Sequence, residues 1–388
     1  MVDSLKVESK PSAQVVGALY FGFILTGIGT NLLGCILPAL SAAWGLSDSH
    51  SGFLFTAQFV GSSTGALMMQ SNLYKSIVRG YVLLVLGATA FAFSHGHFAP
   101  LFLFFYGLGL GSSMTATSMI FGRMYTTNRG ASLSLLNAFW GLGAVACPLL
   151  TTAWEQFESP SSIYLGLAVA AALPLILLAL QFRYLSQLRD VVTVLSERTS
   201  KLSLLIPLAI FAFLYVGVES SISGWMMTYV HRMGLASGLY APIATSFFWI
   251  ALLIGRSAAP VVLRRISESG LMMITLCVLL VSNVMLLLSY TPAMSITSAS
   301  LAGLMLAPIF PLCLSKVLAI ASGPSESRWV FAISGLGGAV VPWMTGQVAS
   351  VSGSLRTGLA VPLVAACVML VLQVRTHRLI SDRGTGLG

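Results

Sequence analysis

Charged side chains are scarce in this sequence of 388 residues. Asp, Glu, Lys and Arg make up 8% of it, whereas a typical soluble domain contains about 25%. Hydrophobic residues make up 56%. This balance excludes a soluble globular domain. The apolar segments are also too long and continuous for the alternating strands of a membrane barrel. The sequence therefore predicts an all-α membrane protein.

The sequence also lacks the clusters of side chains that metal sites and catalytic centres require. The five cysteines all lie inside apolar segments and are typical of small buried hydrophobic residues rather than disulfides: Cys35, Cys147, Cys277, Cys313 and Cys367. No Cys/His pair has metal-binding spacing, and no nucleophile–base pair falls at membrane depth. We therefore expect no enzyme activity, no metal and no organic cofactor.

The apolar segments divide into twelve runs of about the 20 residues that a membrane-spanning helix needs. The predicted spans are about 14–43, 50–70, 79–95, 98–125, 129–154, 160–183, 203–231, 238–262, 270–290, 293–321, 328–351 and 355–376.

Loop charge supports this count. If both termini are cytoplasmic, every Lys and Arg falls on the cytoplasmic side except Arg232, Arg256 and Arg356, which is a strong positive-inside bias. The net charge of +9 is thus a topology signal rather than a nucleic-acid surface. We expect a multi-pass protein of the cell (inner) membrane.

The chain divides at its longest polar connection into two repeated halves. Residues 1–182 are predicted to form an N-terminal six-helix bundle, 183–202 a cytoplasmic linker, and 203–388 a C-terminal six-helix bundle. Segment 141–148, with Gly-Leu-Gly followed by Pro, recurs at 335–342. Parallel six-span repeats are typical of a two-bundle transporter.

This arrangement resembles the major facilitator superfamily, and the resemblance covers the whole chain. The superfamily has a Gly, an Asp and basic residues after span two; segment 65–80 has the Gly and the basic residues but no Asp. The resemblance implies two pseudo-symmetric six-helix bundles and alternating access to a midplane site. It also implies an inside gate at the basic loops after spans two and eight, with Lys75, Arg79, Arg264 and Arg265.

Within the superfamily, span seven is similar to the branch of fucose and glucose symporters and sodium-dependent glucose transporter-like proteins. The similar residues are Tyr215-Val216-Gly217-Val218-Glu219, Gly224-Trp225 and Tyr229. In fucose-type symporters, acidic residues in spans one and four carry proton coupling. Span one of this chain offers Asn31 instead, and span four has no acidic residue.

Glu219 is the only one of the 11 acidic residues in the middle of an apolar segment. Ionisable groups at membrane depth are costly and mark functional sites. We predict that Glu219 exchanges the coupling proton and contacts substrate. The alternative is a carboxylate bonded to neighbouring helices as a packing clamp.

Other polar and aromatic residues inside the spans are candidates for substrate contact, because buried amides need hydrogen-bond partners. For Trp225, the alternative is a tryptophan of the outer interface. For the amides, the alternative is hydrogen bonding to neighbouring helices. Together with Glu219, the candidate substrate-binding residues are Asn31, Gln58, Asn137, Trp140, Trp225, Trp343 and Gln347.

The sequence thus predicts a secondary active transporter, a proton-coupled monosaccharide (hexose) symporter that acts as a monomer in the bilayer. A cavity of amides, hydroxyls and tryptophans suits a neutral sugar better than an ion. No span holds a central Lys or Arg apart from Arg256, which is expected near the inner end of span eight. Alternatives are a multidrug or amphiphile/proton antiporter on the same fold, sodium coupling in place of protons, and passive sugar transport.

Overall fold

The computed structural model describes residues 12–68, 72–94, 96–125, 129–156, 159–181, 202–233, 239–320 and 324–384. These ranges are helical apart from short turns, and they contain no strand. The predicted linker, 183–202, lies outside the described residues except for Leu202, where the seventh helix begins.

The first six spans are single helices joined by short connections. Short 3₁₀ turns precede the fourth and sixth of them. They are α1 (Ala13–Trp44), α2 (Asp48–Leu67), α3 (Leu73–Ala92), α4 (Ala99–Met124), α5 (Arg129–Glu155) and α6 (Ile163–Ala179).

The second six spans are built from eight helices, because spans ten and twelve are each divided in two. They are α7 (Leu202–His231), α8 (Tyr240–Val262), α9 (Glu268–Leu287), α10 (Pro292–Leu306), α11 (Ile309–Ile320), α12 (Pro324–Ser352), α13 (Leu355–Gly358) and α14 (Ala360–Gly384). The α10–α11 break falls at Ala307 and Pro308, since proline has no N–H to donate and clashes with the preceding turn.

The start of α3 differs from the predicted span three. The helix begins at Leu73, because the side chain of Asn72 accepts a hydrogen bond from the Lys75 backbone N–H at 3.1 Å and caps it. Lys75 and Arg79 therefore lie in the first two turns of α3, whereas the sequence predicts that the span begins only at residue 79.

The two halves repeat the same packing, which confirms the predicted pseudo-symmetry. In the first half α1 packs on α5, α2 on α4 and α3 on α6; in the second α7 packs on α12, α8 on α10 and α9 on α14. Gly143 of α5 lies against the Ile24 carbonyl of α1, and Gly337 of α12 against the Phe213 carbonyl of α7. Only a residue without a Cβ permits such close helix approach.

Ten of the spans are long and apolar enough to cross a membrane, by length and composition. The two others, α2 and α12, have 20 and 29 residues but are less apolar. These two helices pack on each other between the halves, so each hides part of its surface from lipid. The protein is an integral membrane protein whose halves meet through α1–α7, α2–α12 and α5–α8.

Candidate functional site

A cavity of about 140 Å³ lies between the two halves. That volume has room for about five water molecules, at about 30 Å³ each. The first half contributes Thr30, Asn31, Gly34, Phe55, Phe59 and Trp140, and the second half contributes Val216, Glu219, Ser220, Ser223, Gly224 and Trp249. Since both halves form its wall, any movement of one half against the other reshapes the cavity.

Glu219 lines this cavity from α7, where the sequence predicted a functional carboxylate. Its Oε2 accepts a hydrogen bond from the hydroxyl of Tyr215, one helical turn earlier. The same oxygen lies 3.7 Å from Nη2 of Arg256 on α8. The Tyr215 ring is fixed by stacking on Phe310 at 5.2 Å. Glu219 is therefore a paired carboxylate and not an isolated charge.

Arg256 is the partner of Glu219 that sequence reasoning did not include in the site. It was expected near the inner end of its span, yet it is the counter-ion of Glu219. The ion pair lowers the cost of holding a carboxylate in a low-dielectric interior. The available signal was that Arg256 is the basic residue furthest from the ends of its predicted span, on the helix that follows span seven.

Two tryptophans face each other across the boundary between the halves. Trp140 of α5 and Trp249 of α8 both line the cavity. Their rings meet edge to face, with centroids 5.3 Å apart and an interplanar angle of 79°. Trp140 was a predicted site residue; Trp249 was not, because its sequence position alone does not distinguish packing from a site.

Asn31 and Thr30 bring α1 to the same cavity. The Asn31 side chain lines it while donating to the Gly27 carbonyl at 2.9 Å. Gln58 lies directly behind this wall: it is 1% exposed and donates to the Thr30 carbonyl at 3.0 Å. Its side-chain oxygen has no hydrogen-bond partner among the described residues.

The structure places the four other predicted site residues outside the cavity lining. Trp225 is fully buried and donates to the Pro342 carbonyl at 3.0 Å. Asn137 is exposed and bonds to the Leu133 carbonyl within its own helix. Trp343 is 37% exposed on α12, and Gln347 donates to Ser49 at 2.6 Å.

Helix α7 is continuous through Gly224, from Leu202 to His231. Gly34 lets α1 approach α7 at this point, because a Cβ added at Gly34 would lie 2.8 Å from the Gly224 Cα. The close approach of α1 and α7 forms one wall of the cavity.

Contacts between the halves continue toward the end of the bundle that contains Trp44, Asp48, His231 and Tyr240, here called the Asp48 end. Arg232 donates two hydrogen bonds to the Asp48 carboxylate, at 2.8 and 2.5 Å. These bonds raise the pKa of Arg232 above its ordinary value, although partial burial opposes the rise. Together with Ser49–Gln347 and Gly34–Gly224, this ion pair holds the halves together at the Asp48 end.

The predicted gating residues lie at the opposite end, the Leu67 end. Arg79 donates to the Met68 carbonyl at 2.6 Å, next to the last turn of α2. This contact satisfies a carbonyl at the negative end of a helix, at the loop where the superfamily's Asp is missing. Lys75, Arg264 and Arg265 are exposed.

The family model described as "Major Facilitator Superfamily" matches residues 19–342. The chain belongs to this superfamily. It is a membrane transporter rather than an enzyme, as the sequence predicted.

Curated relatives share its length and family but little sequence identity. The glucose/mannose transporter GlcP of Bacillus subtilis is 22% identical over 356 residues, covering 85% of this chain and 87% of the relative. A glucose/galactose transporter of Brucella abortus is 23% identical over 360 residues, covering 85% and 86%.

Solved structures show the same fold. A D-xylose–proton symporter superposes with a TM-score of 0.74 at 14% identity, covering 93% of this chain and 96% of the symporter. The transporter FucP, in its outward conformation, gives a TM-score of 0.60 at 16% identity, covering 92% and 97%.

Proposed function

We propose that this transporter imports a neutral monosaccharide, a hexose, together with protons. The observation that carries the proposal is the Glu219–Arg256 pair beside a cavity that both halves line with hydroxyl, amide and indole groups. The full-length relatives named as glucose transporters support the substrate class. Because Arg256 neutralises Glu219, the cavity has no net charge that would attract an ionic substrate.

Loop charge supports an orientation with both termini in the cytoplasm. The Asp48 end then faces outward, and its cross-half contacts close the cavity on the outer side. Import requires that these contacts open to admit substrate and re-form before release.

Proton coupling in this proposal acts through the Glu219–Arg256 pair. A proton on Glu219 removes its charge and leaves Arg256 without a counter-ion. An oxygen of the bound sugar can then accept a hydrogen bond from the guanidinium, which offsets part of the cost of the unpaired cation. Linkage makes the effect reciprocal: protonation strengthens sugar binding and sugar strengthens protonation.

The experiment is uptake of labelled hexoses into proteoliposomes under an imposed proton or sodium gradient. With one proton per sugar, a pH difference of one unit supports up to about tenfold accumulation, because 1.4 kcal/mol corresponds to a factor of ten. The variants are Glu219→Gln and a matched control, Glu268→Gln, at an exposed helix start.

We expect wild type and Glu268→Gln to accumulate sugar under the proton gradient. Glu219→Gln should lose accumulation and keep sugar exchange. If Glu219→Gln still concentrates sugar, Glu219 is not the coupling group. Accumulation driven by sodium alone, or equilibration without accumulation, would replace proton symport by sodium symport or passive transport. Efflux of lipophilic cations without hexose uptake would identify an amphiphile exporter.

A further inference from the structure

The indole N–H groups of Trp140 and Trp249 have no hydrogen-bond partner among the residues that the structure describes. Both side chains are more than nine-tenths buried, with 7% and 3% exposure, and both line the cavity. Buried polar groups in folded proteins nearly always have a partner. Neither nitrogen atom is accessible from the cavity in this arrangement of the halves, so two unpaired donors beside one cavity are a feature to explain.

The surrounding contacts fix both rings in place. Ser246 of α8 donates to the Val145 carbonyl of α5 at 3.0 Å, which ties the two helices together beside the pair. Phe248 lies edge-on to Trp249 at 5.1 Å and 87°. The rings are thus held in place beside the cavity, and because neither nitrogen is accessible in this arrangement of the halves, a ligand can reach the donors only after the halves move.

The two donors belong to different halves of the molecule. Trp140 is on α5 of the first half and Trp249 on α8 of the second. A ligand that accepts from both N–H groups would connect the halves at the cavity. A lipophilic cation offers no acceptor and would leave both donors buried and unpaired, which is unfavourable.

We propose that Trp140 and Trp249 form a donor pair that recognises two oxygen atoms of a neutral polyhydroxylated substrate, one from each half. This assignment rests on the proposed function and names the specificity-determining groups of the same site. Glu219 and Ser223, which also line the cavity, accept hydrogen bonds from hydroxyl groups of the same ligand. The site therefore selects a substrate by the positions of its oxygens.

The test combines Trp→Phe variants with deoxy-hexose analogues. Trp140→Phe and Trp249→Phe keep an aromatic ring but remove the N–H donor. Trp329→Phe is the matched control, because Trp329 is 62% exposed and does not line the cavity. KM and kcat for uptake of the transported hexose and of each monodeoxy analogue are measured in proteoliposomes.

We expect Trp140→Phe and Trp249→Phe each to raise KM for the parent hexose by about threefold to tenfold, the effect of one lost neutral hydrogen bond, with little change in kcat. For each tryptophan, one deoxy analogue should show the raised KM in wild type and no further increase in the variant. Trp329→Phe should behave as wild type.

The inference is overturned if the KM values of both variants match that of Trp329→Phe. It is also overturned if the increase in KM caused by each variant adds to the increase caused by every deoxy analogue. Ultraviolet resonance Raman spectra of the wild-type protein give a readout that needs no variant to fold: added hexose should shift indole N–H marker bands, and an unshifted spectrum contradicts the pairing. If wild type takes up no hexose, the proposed function fails and this inference fails with it; normal uptake with insensitive variants overturns the inference alone.

Discussion

Nη2 of Arg256 on α8 lies 3.7 Å from Oε2 of Glu219 on α7. This pair joins consecutive helices of the same half, so it neither locks the two halves together nor has to break when they move. Its side chains are 25% and 15% exposed, so neither charge is completely buried, and Glu219 lines the cavity. A proton or a ligand can therefore reach Glu219 from the cavity.

Removing Arg256 should destabilise the protein, because it leaves the Glu219 carboxylate without its counter-ion. Breaking a fully buried pair costs about 3–5 kcal/mol; with this partial exposure we expect about 1–3 kcal/mol for Arg256→Gln. Thermal unfolding in detergent measures it. The double variant Glu219→Gln/Arg256→Gln should recover part of the loss, and a loss equal to the sum of the single variants would mean that the two groups do not interact.

Tyr215→Phe removes the hydroxyl that donates to Glu219. A hydrogen bond to a charged group contributes about 1.5–3 kcal/mol, so we expect proton-driven accumulation to weaken while the fold persists. Uptake as a function of external pH is the measurement, with Tyr229→Phe as control, since the hydroxyl of Tyr229 bonds to Leu286 and Ser289 away from the cavity. An unchanged pH profile in Tyr215→Phe would argue against a role for the tyrosine in coupling.

Gly34→Ala should hinder closure at the Asp48 end. The new Cβ would lie 2.8 Å from the Gly224 Cα, so α1 and α7 must separate. Overpacking of this kind costs about 1–3 kcal/mol, which corresponds to a shift of about 5- to 150-fold away from the closed arrangement. Uptake rates and thiol labelling of a Ser220→Cys cavity reporter measure the shift.

The control for that variant is Gly17→Ala in the same helix, where a Cβ meets nothing within 4 Å. Both substitutions raise helix propensity equally, so a difference between them reports the contact with α7. Equal behaviour of the two variants would show that the approach of α1 to α7 does not limit transport.

Reversing the charge at Asp48 should slow transport, and restoring an opposite pair should rescue it. Asp48→Arg places two cations together at the Asp48 end. The double variant Asp48→Arg/Arg232→Asp re-creates an ion pair across the halves. The pair is partly exposed, at 44% for Arg232 and 12% for Asp48, so we expect a modest contribution of about 1 kcal/mol that weakens with salt. Uptake at low and high ionic strength tests this, and a double variant no better than the single one would contradict it.

Hydropathy, loop charge and the internal repeat were sufficient to predict twelve spans and the two-bundle fold, because most spans are individually long and apolar enough for lipid and loop charge constrains their number. They did not predict where helices start and break. The α3 start depends on the Asn72 cap, and the division of span ten depends on Pro308. Both are local backbone effects that hydropathy does not register.

Of the predicted site residues, Asn31, Trp140 and Glu219 line the cavity, whereas Gln58 lies behind its wall and Trp225, Asn137, Trp343 and Gln347 lie outside it. Depth along a span is readable from sequence, but the face a side chain presents depends on which helices pack beside it. Trp225 has a site-like neighbourhood in sequence, yet it faces α12 and bonds to the Pro342 carbonyl.

The sequence by itself determined that this protein is helical and spans the membrane, because its apolar segments are long and continuous. It also determined that one carboxylate lies in mid-span, and the cost of burying a charge in lipid marks that residue as a candidate for function. Only the tertiary structure decided that Glu219 has Arg256 as its partner and that Trp140 and Trp249 meet across the halves. Those relationships join residues on different helices, and their distances are set by close packing at residues such as Gly34 and Gly224.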